Sequence, residues 1–403
     1  MVDFTLTKED KKLLEMIRFL GEKYMRPLGI EYDKKGEPIP PDHEFFKFLA
    51  QIGYQERVAG MGRELEDSGK TGGERTSARR AVLIGEETSY WDRGVAVALP
   101  GPGLAGPPLS ILGTPEQKEK YLSIFKDREN PHWGAFAMTE PGAGSDVARI
   151  KTRCVKKNGK WIINGQKAFC SNADRADFIV VWATVDPKIG RAGHRAFVVE
   201  KGTPGLILTK IEKKMGLSAY SSCSLTLEDC EVPEENLLGG EKVYEEKTGF
   251  KSAMKSFNAT RPTIAAMAIG IARAAYDWVQ DFIKQNYIIS RPIPRYQKIN
   301  ENIAKVRRYI EVGRMLCWKA AWMADKGMEN IVEASQAKAF CPAVAQEAVS
   351  LCLDVMQDAG IQNDNYVEKL YRDVKALDIV EGTGQIQRVI IARRLFGLPS
   401  EDS

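Results

Sequence analysis

The 403-residue chain has only three histidines, His43, His132 and His194, too few and too scattered for a histidine metal site. Its seven cysteines (Cys154, Cys170, Cys223, Cys230, Cys317, Cys341, Cys352) form no C-x-x-C pair. An odd, dispersed set reads as reduced thiols in a reducing compartment. No apolar run approaches the ~20 residues that span a bilayer; the best, Thr263 to Ile271, is stopped by Arg273. Met1-Val2-Asp3-Phe4 has neither a basic start nor an apolar stretch, so no secretory leader is expected and the cytoplasm is the default location. The net charge of +4 is too small to make nucleic acid the main partner. Internal repeats and low-complexity tracts are also missing.

What is present is the composition of an ordinary globular protein, 43% hydrophobic and 28% charged, with length for two to three domains at roughly 150 residues each. The first third is helical in pattern. Thr7 with Asp10 is a near capping box, and Thr114-Pro115-Glu116-Gln117 a cleaner one. A loop rich in Gly and charge is expected from Ala59 to Arg75, then a helix from about Ser77 to Tyr90. Near His132 the period changes. Phe136 to Thr139 and Arg149 to Val155 alternate, and Asn158-Gly159 is a hairpin turn before Trp161 to Ile163. Phe178 to Ala183, Ala196 to Val199, Leu206 to Ile211 and Cys223 to Leu227 continue as short strands. From about Glu241 helix returns, as Asn258 to Gln285, Ile299 to Lys326, Ile331 to Gln357 and Val367 to Leu377. The expected fold class is α+β: a helical domain (1–130), a β domain (131–240) and a helical bundle (241–403).

Two strings could carry chemistry. Val380-Glu381-Gly382-Thr383-Gly384-Gln385 places one carboxylate at a glycine-marked break before a helical segment. Ile379, Val380 and Ile386 around it point to a partly apolar setting, where desolvation raises a carboxyl pKa toward the range of a general base. Met138-Thr139-Glu140-Pro141-Gly142-Ala143-Gly144-Ser145-Asp146 is a loop of Gly and small hydroxyls that brings backbone N–H groups close to a flat or phosphorylated ligand. Alone, the first reads as a solvated helix entry and the second as a turn. Together, and with Asn164 to Asn172 following, they resemble the flavin-dependent acyl-CoA dehydrogenase family, over essentially the whole chain.

The resemblance implies a fold of N-terminal helical domain, middle β-barrel-like domain and C-terminal four-helix bundle, with FAD as cofactor. It implies that Glu381 removes the α-proton of an acyl-CoA thioester while hydride leaves for the flavin, the electrons then passing to electron-transfer flavoprotein. Some relatives put the base just before the Arg of Thr-Arg-Pro, but here that residue is Thr260, and Asp92 lies close to the position used by a third variant. Phe136, Met138, Thr139, Gly144 and Ser145 would contact the flavin, with Phe169 where the family has Trp and Ser171 where it has Thr. Thr383 and Gln385 complete that set, Arg291 and Gln297 reaching the flavin of a neighbouring subunit in a homotetramer. Arg261, in Asn258-Ala259-Thr260-Arg261-Pro262, would be a fixed cation beside the base. Asn258, Lys319, Ser145, Gly382 and Leu99 are the further substrate contacts.

The chain departs from the family pattern at Asn286 to Pro292, where the expected Arg and Phe are Asn286 and Ile289, leaving Arg291 to restore a cation. The Asp354 to Gly360 run loses two glycines. From Leu99 to Pro108, two Pro-Gly steps and a Pro-Pro replace an ordinary helix of the acyl pocket wall. A wall rebuilt from small residues favours a branched, alicyclic or aromatic acyl group such as benzylsuccinyl-CoA. A second carboxylate on such a substrate would pair with Arg93 or another cation. The rival readings are an acyl-CoA oxidase or enoyl-CoA reductase on the same scaffold and, more remotely, a flavin-bearing nucleic-acid-binding relative.

Overall fold

Thr7 and Thr114 each close a full capping box, accepting from the backbone N–H of Asp10 and Gln117 while those side chains reach back. They start two of the helices of the N-terminal third. A computed structural model describes residues 2–67, 76–245, 249–286 and 294–398, with backbone alone at 61–67, 249–259 and 294–295. The helices are α1 (Lys8–Leu20), α2 (Arg26–Lys35), α3 (Glu44–Gln51), α4 (Tyr54–Asp67), α5 (Ser77–Ala98), α6 (Gly106–Leu112), α7 (Pro115–Leu122) and the short α8 (Lys242–Glu245). The C-terminal part holds α9 (Gly249–Asn286), α10 (Pro294–Asp325), α11 (Ile331–Met356), α12 (Tyr366–Val374) and α13 (Gly384–Leu395).

Between them lie β1 (Gly134–Ala137), β2 (Arg153–Lys157), β3 (Lys160–Ser171), β4 (Phe178–Thr184), β5 (His194–Glu200), β6 (Leu206–Ile211) and β7 (Ser222–Pro233) in one seven-stranded sheet. The strand order is β1-β4-β2-β3-β7-β6, with β5 on β4. Asn158 and Gly159 both take positive φ, 51° and 73°, the two left-handed residues that a tight β2–β3 hairpin requires. Every residue of β4 is buried, and its period of two splits them between faces. Ile179, Val181 and Ala183 pack with Phe45, Phe46 and Trp133 of one core. Phe178, Val180 and Trp182 pack with Leu109, Phe125 and Leu238 of another. A third core fills the helical bundle.

Four expectations change. The stretch from Ala59 is not a loop where it is described, since α4 runs to Asp67; Arg63, Glu64, Leu65 and Glu66 favour helix enough to outweigh two glycines. Residues 68–75 lie outside the description. The helix from Ser77 continues past Tyr90 to Ala98, through a break at Asp92, whose backbone is extended (φ −167°, ψ 119°). Helix does stop across Leu99–Pro102, but Pro107 and Pro108 open α6, in the first turn, where a missing N–H costs nothing. By length and composition α11 could cross a membrane, whereas Thr263 to Ile271 is only part of α9. Yet Ala337, Ala345, Ala348 and Val349 of α11 are buried in the bundle core with Ile269 and Ile271 of α9.

The break at Asp92 is tied down from the far side of the chain. Lys369 on α12 donates to Asp92 Oδ2 at 2.6 Å and to Asp373 Oδ2 at 2.5 Å, all three side chains being 5% exposed or less. The remaining oxygens accept from backbone N–H groups, Asp92 from Val95 at 2.8 Å and Asp373 from Leu217 at 2.5 Å. A carbon added at Gly29 would lie 1.9 Å from Asp92 Oδ2, so only glycine lets α2 pass the ion cluster. Removing the cation leaves two carboxylates facing each other without water. Lys369→Met should therefore cost about 3–5 kcal/mol, read as a lower midpoint in guanidinium unfolding.

Candidate active site

After α12 the chain makes a short 3-10 turn, Lys375–Asp378, and then a reversal that leads into α13. Glu381 and Gly382 both have positive φ there, 54° and 93°. For a glutamate this left-handed backbone is unfavourable and must be imposed by its surroundings. The imposing contacts are clear. Thr383 caps α13 by accepting from Ile386 N–H at 3.4 Å. The Gly382 carbonyl accepts from Gln387 Nε2 at 3.2 Å and from Lys338 Nζ at 3.1 Å.

The Glu381 carboxylate accepts a hydrogen bond from the Thr260 hydroxyl on α9. Burial pushes its pKa above the ordinary 4.5, against the Thr260 hydrogen bond and the charges of Arg93, Lys338 and Arg261. The enclosure is not the one expected from the local sequence, because Ile379 and Val380 are 57% and 38% exposed. It comes instead from α5, α9 and α11, which bring the three cations. Arg261 donates from Nη1 to Ser335 Oγ at 3.4 Å, while its buried Nε has no partner among the described residues. Burial pushes its pKa down, and that of Arg93 likewise. Arg93 follows the Asp92 break directly and faces Tyr220 and Glu381. Among the described residues no carboxylate is within ion-pair distance of it.

A second group of residues lies along β1 and β3. Lys167 is wholly buried and donates to Met138 O at 3.1 Å and Glu140 Oε1 at 2.8 Å. Glu140 also accepts from the backbone of Lys151 at 2.6 Å and Thr152 at 2.9 Å. The Thr139–Asp146 loop is thus clipped at its root to β2 and β3, and Ala168 N–H donates to Thr139 O at 2.8 Å. Beyond the clip the β3–β7 register slips between Lys167 and Cys170. The bulge puts Phe169 in left-handed backbone (φ 58°) with its side chain outward, 67% exposed. Gly144 and Ser145 are exposed, and a carbon added at Gly142 or Gly144 would meet nothing within 4 Å. An aromatic face held out beside an open Gly-rich loop suits a flat, phosphate-bearing group such as a flavin. Phe136 is half-buried and Met138 nearly buried at the same edge.

One chain of contacts joins the two groups. Ser171, at the end of β3, is hydrogen-bonded to Tyr220, and Tyr220 lies beside Arg93, which faces Glu381. Other candidates lie elsewhere. Lys319 is 51% exposed and paired with Glu333 at 3.6 Å. Gln297 is exposed and donates to Glu301 at 3.3 Å, and Gln385 is exposed on α13. Leu99 ends α5, half-buried against the sheet-side core. Asn258 is on α9 with its side chain outside the description, and Arg291 lies outside the described residues altogether. Sequence reasoning missed Tyr220 and Lys338 and considered Thr260 only as a failed base. Lys338 had a signal, a lone cation in the apolar run Ala334 to Ala345.

Comparison with known proteins bears on this arrangement. The family descriptions "Acyl-CoA dehydrogenase, N-terminal domain", "middle domain" and "C-terminal domain" match residues 7–126, 135–230 and 247–396. The chain is 35% identical to an acyl-CoA dehydrogenase of Bacillus subtilis, over 97% of this chain and 99% of that one. It is 34% identical to cyclohex-1-ene-1-carbonyl-CoA dehydrogenase of Geobacter metallireducens, over 97% and 99%. Butyryl-CoA dehydrogenase from Megasphaera elsdenii superposes with a TM-score of 0.85 at 32% identity, covering 98% and 100%. If Phe169 stacks on a flavin, Phe169→Ala should weaken flavin retention roughly 2- to 12-fold, the equivalent of ~0.5–1.5 kcal/mol, measured by fluorescence of released cofactor.

Proposed function

The chain belongs to the acyl-CoA dehydrogenase family, and from that membership we propose an FAD-dependent enzyme that converts an acyl-CoA thioester to its α,β-enoyl form, with Glu381 as the base. The observation that carries this reading is the Glu381 carboxylate itself, desolvated, held by the Thr260 hydroxyl and facing three cations. Glu381 takes the proton from the carbon beside the thioester carbonyl. FAD, when bound, supplies the acceptor for the hydride from the adjoining carbon. Thr260 fixes which carboxylate oxygen is free to receive the proton. Arg261 and Arg93 stabilise the negative charge that develops on the substrate as the proton leaves.

Phe136, Met138, Thr139, Gly144, Ser145, Phe169 and Ser171 are the residues we assign to the flavin, with Thr383 and Gln385 from the α13 entry. Electron-transfer flavoprotein is the proposed acceptor of the electrons and the cytoplasm the proposed location, in keeping with seven unpaired thiols. A homotetramer fits the apolar end of α13, where Leu395, Phe396 and Leu398 are 70%, 77% and 56% exposed. In that assembly Gln297 and Arg291 would serve a neighbour's flavin.

For the substrate, two features favour a bulky acyl group with a second carboxylate. The stretch proposed as the pocket wall, irregular over Leu99–Pro102 and a short 3-10 turn over Gly103–Ala105, is built largely of small residues and would leave more room than a continuous helix. Arg93 has no ion-pair partner among the described residues, and a charge desolvated in that way favours an anionic guest.

The test of the base is Glu381→Gln. It should stay yellow and bind acyl-CoA while flavin bleaching slows by ~10²–10⁴; bleaching at the normal rate would refute the assignment. Since a base works deprotonated and burial raises this pKa, the acid limb of turnover should fall at a pH above 4.5, activity disappearing as pH drops through it. A panel of CoA thioesters reads out the substrate. Bulky diacid esters should bleach the flavin faster than straight-chain neutral ones, and Arg93→Gln should abolish that preference.

A further inference from the structure

We propose that Lys338 is the positioning residue of the base: its ammonium group spans the reversal carrying Glu381 and fixes the carboxylate for proton abstraction. The geometry is specific. Lys338 sits mid-helix on α11, wholly buried, and donates at 2.8 Å to Leu377 O, before the reversal, and at 3.1 Å to Gly382 O, after it. One cation therefore closes the four-residue segment Asp378 to Glu381 like a clasp. The positive φ of Glu381 lies inside the clasp, so the unfavourable backbone is held by contacts Lys338 makes on both flanks.

Nothing else among the described residues explains this lysine. A buried ammonium is costly unless paired, and among the described residues Lys338 has carbonyls rather than a carboxylate at hydrogen-bond distance. The charged and titratable groups facing it are Asp378 and Glu381 on the reversal, Arg261 from α9 and Cys341 one turn along α11. Burial pushes its pKa down to about 8. An apolar side chain there would pack more cheaply against Leu377. What the ammonium adds is a fixed turn and a positive charge close to the base.

The proposal rests on Glu381 being the base, and the experiment separates the two ideas. Lys338→Met removes charge and clasp; Lys338→Gln retains one donor to the carbonyls and removes the charge. Both enzymes are isolated with flavin bound, and bleaching by a CoA thioester is followed by stopped flow. In Lys338→Met kcat should fall roughly 10- to 100-fold with KM changed less than about threefold, because a displaced base costs rate rather than binding. In both variants the acid limb of the kcat profile should move to higher pH, as Glu381 loses a neighbouring cation.

The decisive comparison is in the Glu381→Gln background. There, with no base left to place, Lys338→Met should cost less than about threefold more, and the two losses should not multiply. If the same 10- to 100-fold loss recurs in that background, or if the acid limb stays where it was, Lys338 is a packing residue and the proposal is overturned. Should Lys338→Met fail to fold, Lys338→Gln decides by the same two readings. A Glu381→Gln enzyme that bleaches normally would refute the base, whatever Lys338 does.

Discussion

A carboxylate taken out of water opposite more positive charge than it can neutralise is the constraint on which this structure turns. Glu381 alone would be costly to bury, by several kcal/mol. Arg93, Arg261 and Lys338 offset that cost, but each is itself desolvated and held below its ordinary pKa. Against these three cations stand Glu381 and Asp378. The surplus is positive and poorly hydrated, which suits a reaction in which the substrate gains negative charge. It also explains why elements distant in sequence must converge, since α5, α9, α11 and the α12–α13 reversal each supply one partner.

The rest of the fold holds those partners in register. Lys369 ties the break at Asp92, and so Arg93, to the helix that leads into Glu381. Lys167 does the same for the Gly-rich loop, fastening Met138 and Glu140 to β3 before the bulge turns Phe169 outward. In both places a buried lysine bridges segments far apart in sequence. Buried ion pairs add little net stability, but removing one member is costly, which makes them good devices for fixing geometry.

Much of this was legible in the sequence, for local reasons. The capping boxes at Thr7 and Thr114, the Asn158-Gly159 turn and the Gly-marked break at Glu381 are set by short-range chemistry, and the structure shows each of them. The long bundle helices follow from apolar spacing. The Ala59–Asp67 stretch was misread because its two glycines were weighed above a run of good helix formers. The apolar shell of Glu381 was misplaced for a different reason. Ile379 and Val380 adjoin it in sequence, but a left-handed residue turns its side chain away from its neighbours, and the true walls are tertiary. Tyr220 and Thr260 carry no local signal, because a hydroxyl acquires its role only from what the fold sets beside it.

The interruption after Ala98 has a consequence for how such a protein diversifies. Arg93, Arg261 and Lys338 ride on long, mutually braced helices and Glu381, the proposed base, on the reversal held against them, whereas the stretch from Leu99 to Ala105, proposed as the pocket wall, is a separate piece of chain. On that proposal, substitutions there can reshape the cavity without disturbing the proposed proton-transfer apparatus. Selectivity and chemical power would thereby sit on different pieces of backbone, and selection could retool the first while the second stands still.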